Sequence, residues 1–246
     1  MRKFLTARWQ DLIMVNYEVE PSLLAARVPH GTELDLHNGK CFVSLVGFMF
    51  ADTRVLGLPI PYHANFEEVN LRFYVKRETG EETRRGVVFI KEIVPKFAIA
   101  WIARTIYGEP YETLPMSNRT EGHWVGYGWT KGKGINWLRV EVGENIGVPE
   151  PGSYEEFIIE HYWGYTKRRG NRTDEYKVEH PKWELFLTEN TELSVNFYGV
   201  YGKEFAFLTG FEPHSVLFAR GSEIAVYKGE RINNARRQRH SVITEY

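Results

Sequence analysis

The residues best suited to chemistry fall on one alternating segment. In residues 66–75 (FEEVNLRFYV), Val69, Leu71, Phe73 and Val75 share one face of a strand, and Glu68, Asn70 and Arg72 share the other. If the polar face turns into a water-poor cavity, burial raises the Glu68 carboxyl unless Arg72 pairs with it. The first case yields a general acid or base, the second a fixed anchor. The plainer alternative is a half-buried strand whose polar face meets solvent.

Other chemical readings are weaker. Lys91 places an amine in the apolar strand 86–94 (GVVFIKEIV), but Glu92 follows it on the opposite face, so one of the two is exposed or paired across strands. Lys96 beside Pro95 sits at a strand end. Eight histidines invite a metal, and His63 near Asn65, Glu67 and Glu68, or His161 with His180, can be assembled on paper. No HExxH, HxH or paired CxxC spacing supports a ligand set, and no metal or other cofactor is expected. No serine occupies a GxSxG turn. The glycines of GYGWTKGKG lack phosphate-loop spacing and read as a hairpin.

The elements that must position these groups are mostly strands. The segment PSLLAAR (21–27) opens on proline and reads as a short helix, followed by a turn at Pro29 and Gly31 and an extended stretch. Residues 41–50 read as a buried strand, and the hairpin tip at 81–85 leads into the strand 86–94. After Pro95, Ala98, Ile102 and Ile106 recur at helical spacing until Gly108 and Pro110. Beyond it, GHWVGYGWTKGKGINWLRVEV and FIIEHYWGYTKRRGNRTDEYKVEHPKW read as hairpins, with further short strands around NFYGV, FLTG and IAVYKG. A run of antiparallel hairpins enclosing one or two helices predicts a closed or partly closed sheet, an α+β, mainly β protein with a few packed helices.

Composition agrees and narrows the partners. The chain has 246 residues, of which 15% are aromatic, enough for a sizeable core without staples. The 31 basic and 32 acidic residues give a net charge of -1, so no global field steers it to nucleic acid or an anionic membrane. Cys41 lies in the apolar run CFVSLVGFMF, where a buried inert thiol is expected. The N-terminal MRKFLTARWQDLIMVNYEVEP is broken by Arg8, Gln10 and Asp11 and is too polar for a signal peptide or a membrane span, so a cytoplasmic protein is expected. The NRT tripeptides at Asn118 and Asn171 then read only as surface loops. Nothing suggests repeats or a linker. One domain over 1–232 is expected, followed by a basic tail at 233–246.

Four segments carry a resemblance: NYEVEPSLLAARVPHGTELD, GLPIPYHANFEEVNLRFYV, VVFIKEIVPKFAIAWIARTIYGEPY and EHYWGYT. They are similar to the YqjF-like family of bacterial proteins and, more distantly, to acetoacetate decarboxylase. The resemblance implies an antiparallel β-cone or barrel around a small apolar cavity. Acetoacetate decarboxylase works through a lysine made nucleophilic by apolar surroundings and a neighbouring cation, an example that general accounts of activated lysines use. In that family the two lysines directly follow the proline of the turn. Here Tyr111 and Glu112 stand there, and Glu18 matches the arginine that helps to bind the substrate carboxylate, an inversion that would repel it. Glu68 resembles the family's cavity glutamate and becomes the first-choice catalytic residue. Asn70, Arg72, Trp101, Tyr107, Tyr111 and Glu112 are expected to line the same cavity as ligand-binding residues, with Arg104 on the helix beside Trp101.

The resulting expectation is a small-molecule pocket inside the cone. It performs proton-transfer or lyase chemistry on a small carbonyl compound, not imine-based decarboxylation, with Glu68 as acid or base and Arg72 or a tyrosine hydroxyl polarising the oxygen. The competing readings are a non-catalytic ligand-binding protein with the same cavity and an interaction protein presenting the aromatic EHYWGY segment as an exposed patch.

Overall fold

The N-terminal segment forms the longest strand among the described residues, β1 (Lys3–Val19). The computed structural model describes residues 2–97 and 108–232. β1 pairs antiparallel with β3 (Cys41–Val55) on one side and β14 (Ser215–Tyr227) on the other. From β3 the sheet runs through β5 (Phe66–Glu78), β6 (Thr83–Val94) and β11 (Trp163–Arg168) to β12 (Arg172–Glu179). β12 then meets β14 at Val178–Val226 and Glu179–Ala225, which closes a seven-stranded ring.

The β6–β11 junction is the one parallel seam in that ring, at Trp163–Gly86 and Gly164–Val87. It depends on Gly86: a Cβ there would lie 2.5 Å from the Trp163 carbonyl oxygen. From β14 the sheet also continues through β13 (Leu185–Ser194), β10 (Gly134–Gly147), β9 (Trp124–Lys131) and β8 (Met116–Glu121). This arm packs over the outside of β3 and β5. Gly47 permits the approach, since a Cβ on it would meet the Tyr127 ring at 2.8 Å.

Two apolar cores result, and β5 serves both. Val69, Leu71, Phe73 and Val75 face outward under the arm, against Tyr127, Trp129 and Leu138. On the inner face, Phe66 and Tyr74 join Leu12, Met14, Phe48 and Phe50 inside the ring. A strand buried on both faces is why 41–50 is almost continuously apolar. One end of the inner core is filled by α2 (Tyr154–Ile159), whose Phe157, Ile158 and Ile159 are all buried.

The segment after β1 carries α1 (Pro21–Leu24), extended by a 3-10 turn at Ala25–Arg27, as expected for PSLLAAR. The short strands β2 (Glu33–Leu34), β4 (Leu58–Pro59), β7 (Tyr111–Thr113) and β15 (Glu230–Arg231) pair at the margins with β5, β3, β6 and β12.

Four sequence expectations are corrected. FII, assigned to a hairpin, ends α2; Ser153 caps that helix by accepting the Glu156 backbone N–H at 3.1 Å, an S-x-x-E signature that identifies a helix start. NFYGV is not a strand but α3 (Phe197–Tyr201), capped by Asn196, and FLTG ends a 3-10 turn (Lys203–Leu208). In FII the consecutive buried apolar residues hid the helical period, and NFYGV and FLTG are too short to show one. Asn118 lies on the edge strand β8 and not in a loop. The helix read at 98–107 and the basic tail at 233–246 lie outside the described residues. Among the described residues, no helix is long and apolar enough to cross a membrane.

Candidate functional site

Inside the ring lies a cavity of about 120 Å³. A cavity of about 150 Å³ holds a benzene molecule, so this one suits a ligand of roughly five or six heavy atoms. Its apolar wall comes from β1 and β3, chiefly Trp9, Leu12, Val46, Phe48 and Phe50. The polar wall begins with β5, whose alternation turns Glu68, Asn70 and Arg72 inward. Glu68 is 2% exposed and Asn70 1%, so this face does not meet bulk solvent.

A bulge in β6 decides what faces β5. The register places Arg72 opposite Phe89 but Leu71 opposite Lys91, so Ile90 is the extra residue. In an unbulged strand Lys91 would share the inward face of Phe89; the inserted residue turns it outward and sends Glu92 in. Lys91 donates to Glu112 at 2.9 Å and to the Val200 carbonyl, under the arm. Glu92 is 2% exposed and lines the cavity.

β7 lies parallel to β6 with Tyr111 opposite Glu92. The Tyr111 hydroxyl donates to Glu68 Oε2 at 3.1 Å and is also hydrogen-bonded to Glu92, while Asn70 Nδ2 donates to Glu68 Oε1 at 3.0 Å. Glu109, in the turn before Pro110, brings a third buried carboxyl, which accepts from Thr166 Oγ1 at 2.7 Å and from Tyr176. Gly164 leaves room for Tyr176: a Cβ there would sit 2.1 Å from the ring's Cζ.

Three carboxyls in one enclosed space cannot all ionise at ordinary pH. Burial pushes Glu68 up to about 7, opposed by the hydrogen bonds from Asn70 and Tyr111 and by the charge of Arg72. Burial likewise takes Glu109 to about 7. Glu92 is held well above the carboxylate range by burial and then by the charges of Glu109 and Glu68. The Tyr111 phenol is raised well above 10 by burial and by Glu68 and Glu92. The cluster therefore stores protons near neutral pH, the range in which a carboxyl serves as acid and base.

Opposite features mark the wall beside α2. His161, 8% exposed, packs on Tyr74 at 4.6 Å between ring centroids and edge-on to Phe157 at 5.6 Å. Burial lowers its imidazole to about 4 against the pull of Asp35, so the ring is neutral. Among the described residues neither ring nitrogen has a hydrogen-bond partner, nor do Trp9 Nε1, Asn70 Oδ1, Arg72 Nε or Glu92 Oε2, all of which belong to cavity-lining residues.

The expected ligand-binding residues divide. The structure brings Asn70, Arg72 and Tyr111 around Glu68. Glu112 is a correction: alternation along β7 turns it away from the cavity, into ion pairs with Lys91 and Lys131, both at 2.9 Å. Those two partners hold its carboxyl below the usual range although burial works the other way. Trp101, Tyr107 and Arg104 lie outside the described residues. Glu18 pairs with Lys40 at 2.7 Å at the surface, so its inverted charge does not enter the cavity. The EHYWGY aromatics are not an exposed patch: Tyr165 is buried, and Trp163 is half-buried beneath the Arg84 guanidinium at 4.1 Å. Sequence reasoning missed Glu92, Glu109, Thr166 and Tyr176. The bulge hides the first, and no local pattern brings the others to β5. Among the described residues no cluster of His, Cys, Asp and Glu is arranged to hold a metal.

This ring and cavity define an acetoacetate decarboxylase-like fold. Acetoacetate decarboxylase from Legionella pneumophila superposes with a TM-score of 0.69 at 13% identity, covering 94% of this chain and 88% of that one. The enduracididine biosynthesis enzyme MppR in complex with pyruvate matches with a TM-score of 0.69 at 13% identity, over 95% and 91% of the two chains. An acetoacetate decarboxylase-like enzyme from Sphingomonas wittichii RW1 gives 0.63 at 14% identity, over 95% and 94%. In sequence, residues 6–223 match the DUF2071 family, described as an uncharacterized conserved protein, and the chain belongs to that family. It is 29% identical over 192 residues to the uncharacterized protein YqjF of Bacillus subtilis (strain 168), covering 76% of this chain and 77% of that one.

Proposed function

We propose that the protein catalyses proton transfer at the carbon beside the carbonyl of a small, mostly apolar compound, with Glu68 as the acid and base. The observation that carries this reading is the Glu68 carboxyl itself. It is enclosed, clamped by Asn70 and Tyr111, and poised near neutral pH. An isolated anchor would be better served by a close ion pair, whereas Arg72 acts on Glu68 through its charge and not through a hydrogen bond. Glu92, protonated beside it, is a proton reservoir in contact with the same tyrosine.

An imine route is not supported. The position that carries the decarboxylase lysine in the family resemblance is Tyr111, and Lys91, the nearby amine in sequence, is engaged outside the ring. Pyruvate in MppR is a small carbonyl compound held in the same fold, which agrees with the size of this cavity.

The test is a panel of ketones, diketones, hydroxyketones and keto acids of four to seven heavy atoms, screened first by thermal shift. A ligand at 100 times its dissociation constant stabilises the fold by about 2.7 kcal/mol, which moves the midpoint by several degrees. Binders are then followed by proton NMR in deuterium oxide. Wild-type protein should wash out the protons beside the carbonyl, and Glu68→Gln should not. A compound that binds while its protons stay in place would refute catalysis and leave a ligand-binding protein.

A further inference from the structure

A second group in the cavity has the placement of a ligand contact. His161 is more than nine-tenths buried, its plane is fixed by Tyr74 and Phe157, and among the described residues neither ring nitrogen has a hydrogen-bond partner. Asp35 lies behind it, with a carboxylate oxygen 3.7 Å from Nε2, beyond a full hydrogen bond but close enough to favour the ring proton on that nitrogen. Asp35 is itself fixed, accepting from Arg85 Nε at 2.7 Å, and its backbone N–H donates to the Tyr74 carbonyl at 3.0 Å. With the proton on Nε2, Nδ1 carries an unshared lone pair. A buried acceptor left unpaired costs about 1–3 kcal/mol, and a purely apolar filler of the same shape would avoid that cost.

We propose that the Asp35–His161 pair selects α-hydroxy carbonyl compounds, with His161 Nδ1 accepting the hydroxyl hydrogen of the ligand. The other orphaned groups complete the match: Arg72 Nε is a donor for the carbonyl oxygen, and Asn70 Oδ1 is a second acceptor. An α-hydroxy carbonyl of about five heavy atoms presents a donor and an acceptor on adjacent carbons, which suits a cavity of this volume. The inference rests on the proton-transfer reading for its chemistry. Glu68 takes the proton from the carbinol carbon, and the electron pair of that C–H bond forms the carbon–carbon double bond of an enediol. The carbonyl oxygen receives a proton from the Glu92 carboxyl, while the hydroxyl keeps its own and donates it in a hydrogen bond to the neutral His161 Nδ1. Return of a proton by Glu68 to the same carbon, with the oxygen proton going back to Glu92, regenerates the hydroxy carbonyl with its carbon hydrogen exchanged and no net oxidation. His161 then touches the ligand, and Asp35 is a positioning residue.

The experiment compares hydroxyacetone with 2-butanone, each with five heavy atoms, in proton exchange and in thermal shift. Wild type should favour hydroxyacetone by about tenfold or more in kcat/KM, because 2-butanone leaves Nδ1 unpaired. His161→Phe should abolish the preference, read as the ratio of kcat/KM for the two ketones within the same protein. His161→Asn, whose amide oxygen can stand near the place of Nδ1, should restore part of it, and Asp35→Asn should weaken it. Equal preference in wild type and His161→Phe, with both proteins folded, overturns the inference and leaves the proton-transfer reading intact. A hydroxyacetone preference in thermal shift that His161→Phe removes, without exchange by the wild type, supports the inference and overturns the catalytic reading.

Discussion

Replacing Glu68 by glutamine should make the protein relatively more stable as pH rises. In the folded state burial holds the Glu68 carboxyl at about 7, against 4.5 for the free side chain. Between those values the folded protein binds a proton that the unfolded chain has released, so this residue's contribution to stability is complete below pH 4.5 and fades as pH rises to about 7. At about 1.4 kcal/mol per pH unit, the loss amounts to roughly 3 kcal/mol. The carboxyl is fully enclosed, so solvent screening does not reduce the figure. Glutamine cannot ionise and does not pass through this loss. Removing the Glu68 charge also lowers the cost of ionising Glu92 and Glu109, which it raises in the wild type, and acts in the same direction. His161 has the opposite dependence, lost as pH falls from 6.5 toward 4, but it is common to both proteins and cancels in the difference. The assay is urea unfolding of both proteins at pH 4.5, 6 and 8. The stability difference should move toward the variant by roughly 3 kcal/mol from the lowest to the highest pH, equivalent to about 6–12 °C in Tm for a chain of this size. Parallel curves would mean that Glu68 titrates alike in the folded and the unfolded protein, and the buried acid cluster would be refuted.

Tyr111→Phe removes a donor that holds Glu68 down, so the acidic limb of the exchange-rate profile should move to higher pH, and an unchanged limb would remove Tyr111 from the proton network. Gly164→Ala places a methyl against Tyr176 and should destabilise the fold by about 1–3 kcal/mol, checked by urea unfolding, while loosening the hold on Glu109. Glu112→Gln should leave exchange unchanged within about twofold, since its carboxylate serves Lys91 and Lys131 outside the cavity. Its small stabilising effect, about 0.5–1 kcal/mol for a partly exposed cluster, should be present at pH 7 and vanish as pH falls through its depressed carboxyl value.

How far the sequence discloses this molecule depends on whether the deciding interaction is local. The two faces of β5 are legible because strict alternation separates Glu68, Asn70 and Arg72 from Val69, Leu71 and Phe73. That the polar face points into a ring is not local: it depends on Val178 and Glu179 reaching Val226 and Ala225 to close the sheet. Glu92 shows a different limit. Periodicity in GVVFIKEIV assigns Lys91 and Glu92 to opposite faces but cannot say which is inward, and the answer turns on Ile90 being the inserted residue. The helix α2 carried a readable signal in Ser153 and Glu156, outweighed by an apolar run that fits a strand equally well.

That single bulge is also where the chemistry of the cavity is set, and it can be tested by deletion. Ile90 has no partner on β5, so removing it leaves Phe89 opposite Arg72 and Lys91 opposite Leu71, and regular alternation keeps Lys91 outward and Glu92 inward. The cavity should keep its protonated carboxyl, and Glu112 should keep both of its lysines. Loss of the buried Ile90 side chain should cost about 2–5 kcal/mol, so the deletion variant should melt below the wild type. Its informative readout is chemical. Neither protein should form a borohydride-trappable imine with a small ketone, detected by mass spectrometry, and exchange by the folded variant should stay near that of the wild type. A folded deletion variant that traps a ketone would show that Lys91 had turned inward, and the assignment of Ile90 as the inserted residue would be refuted.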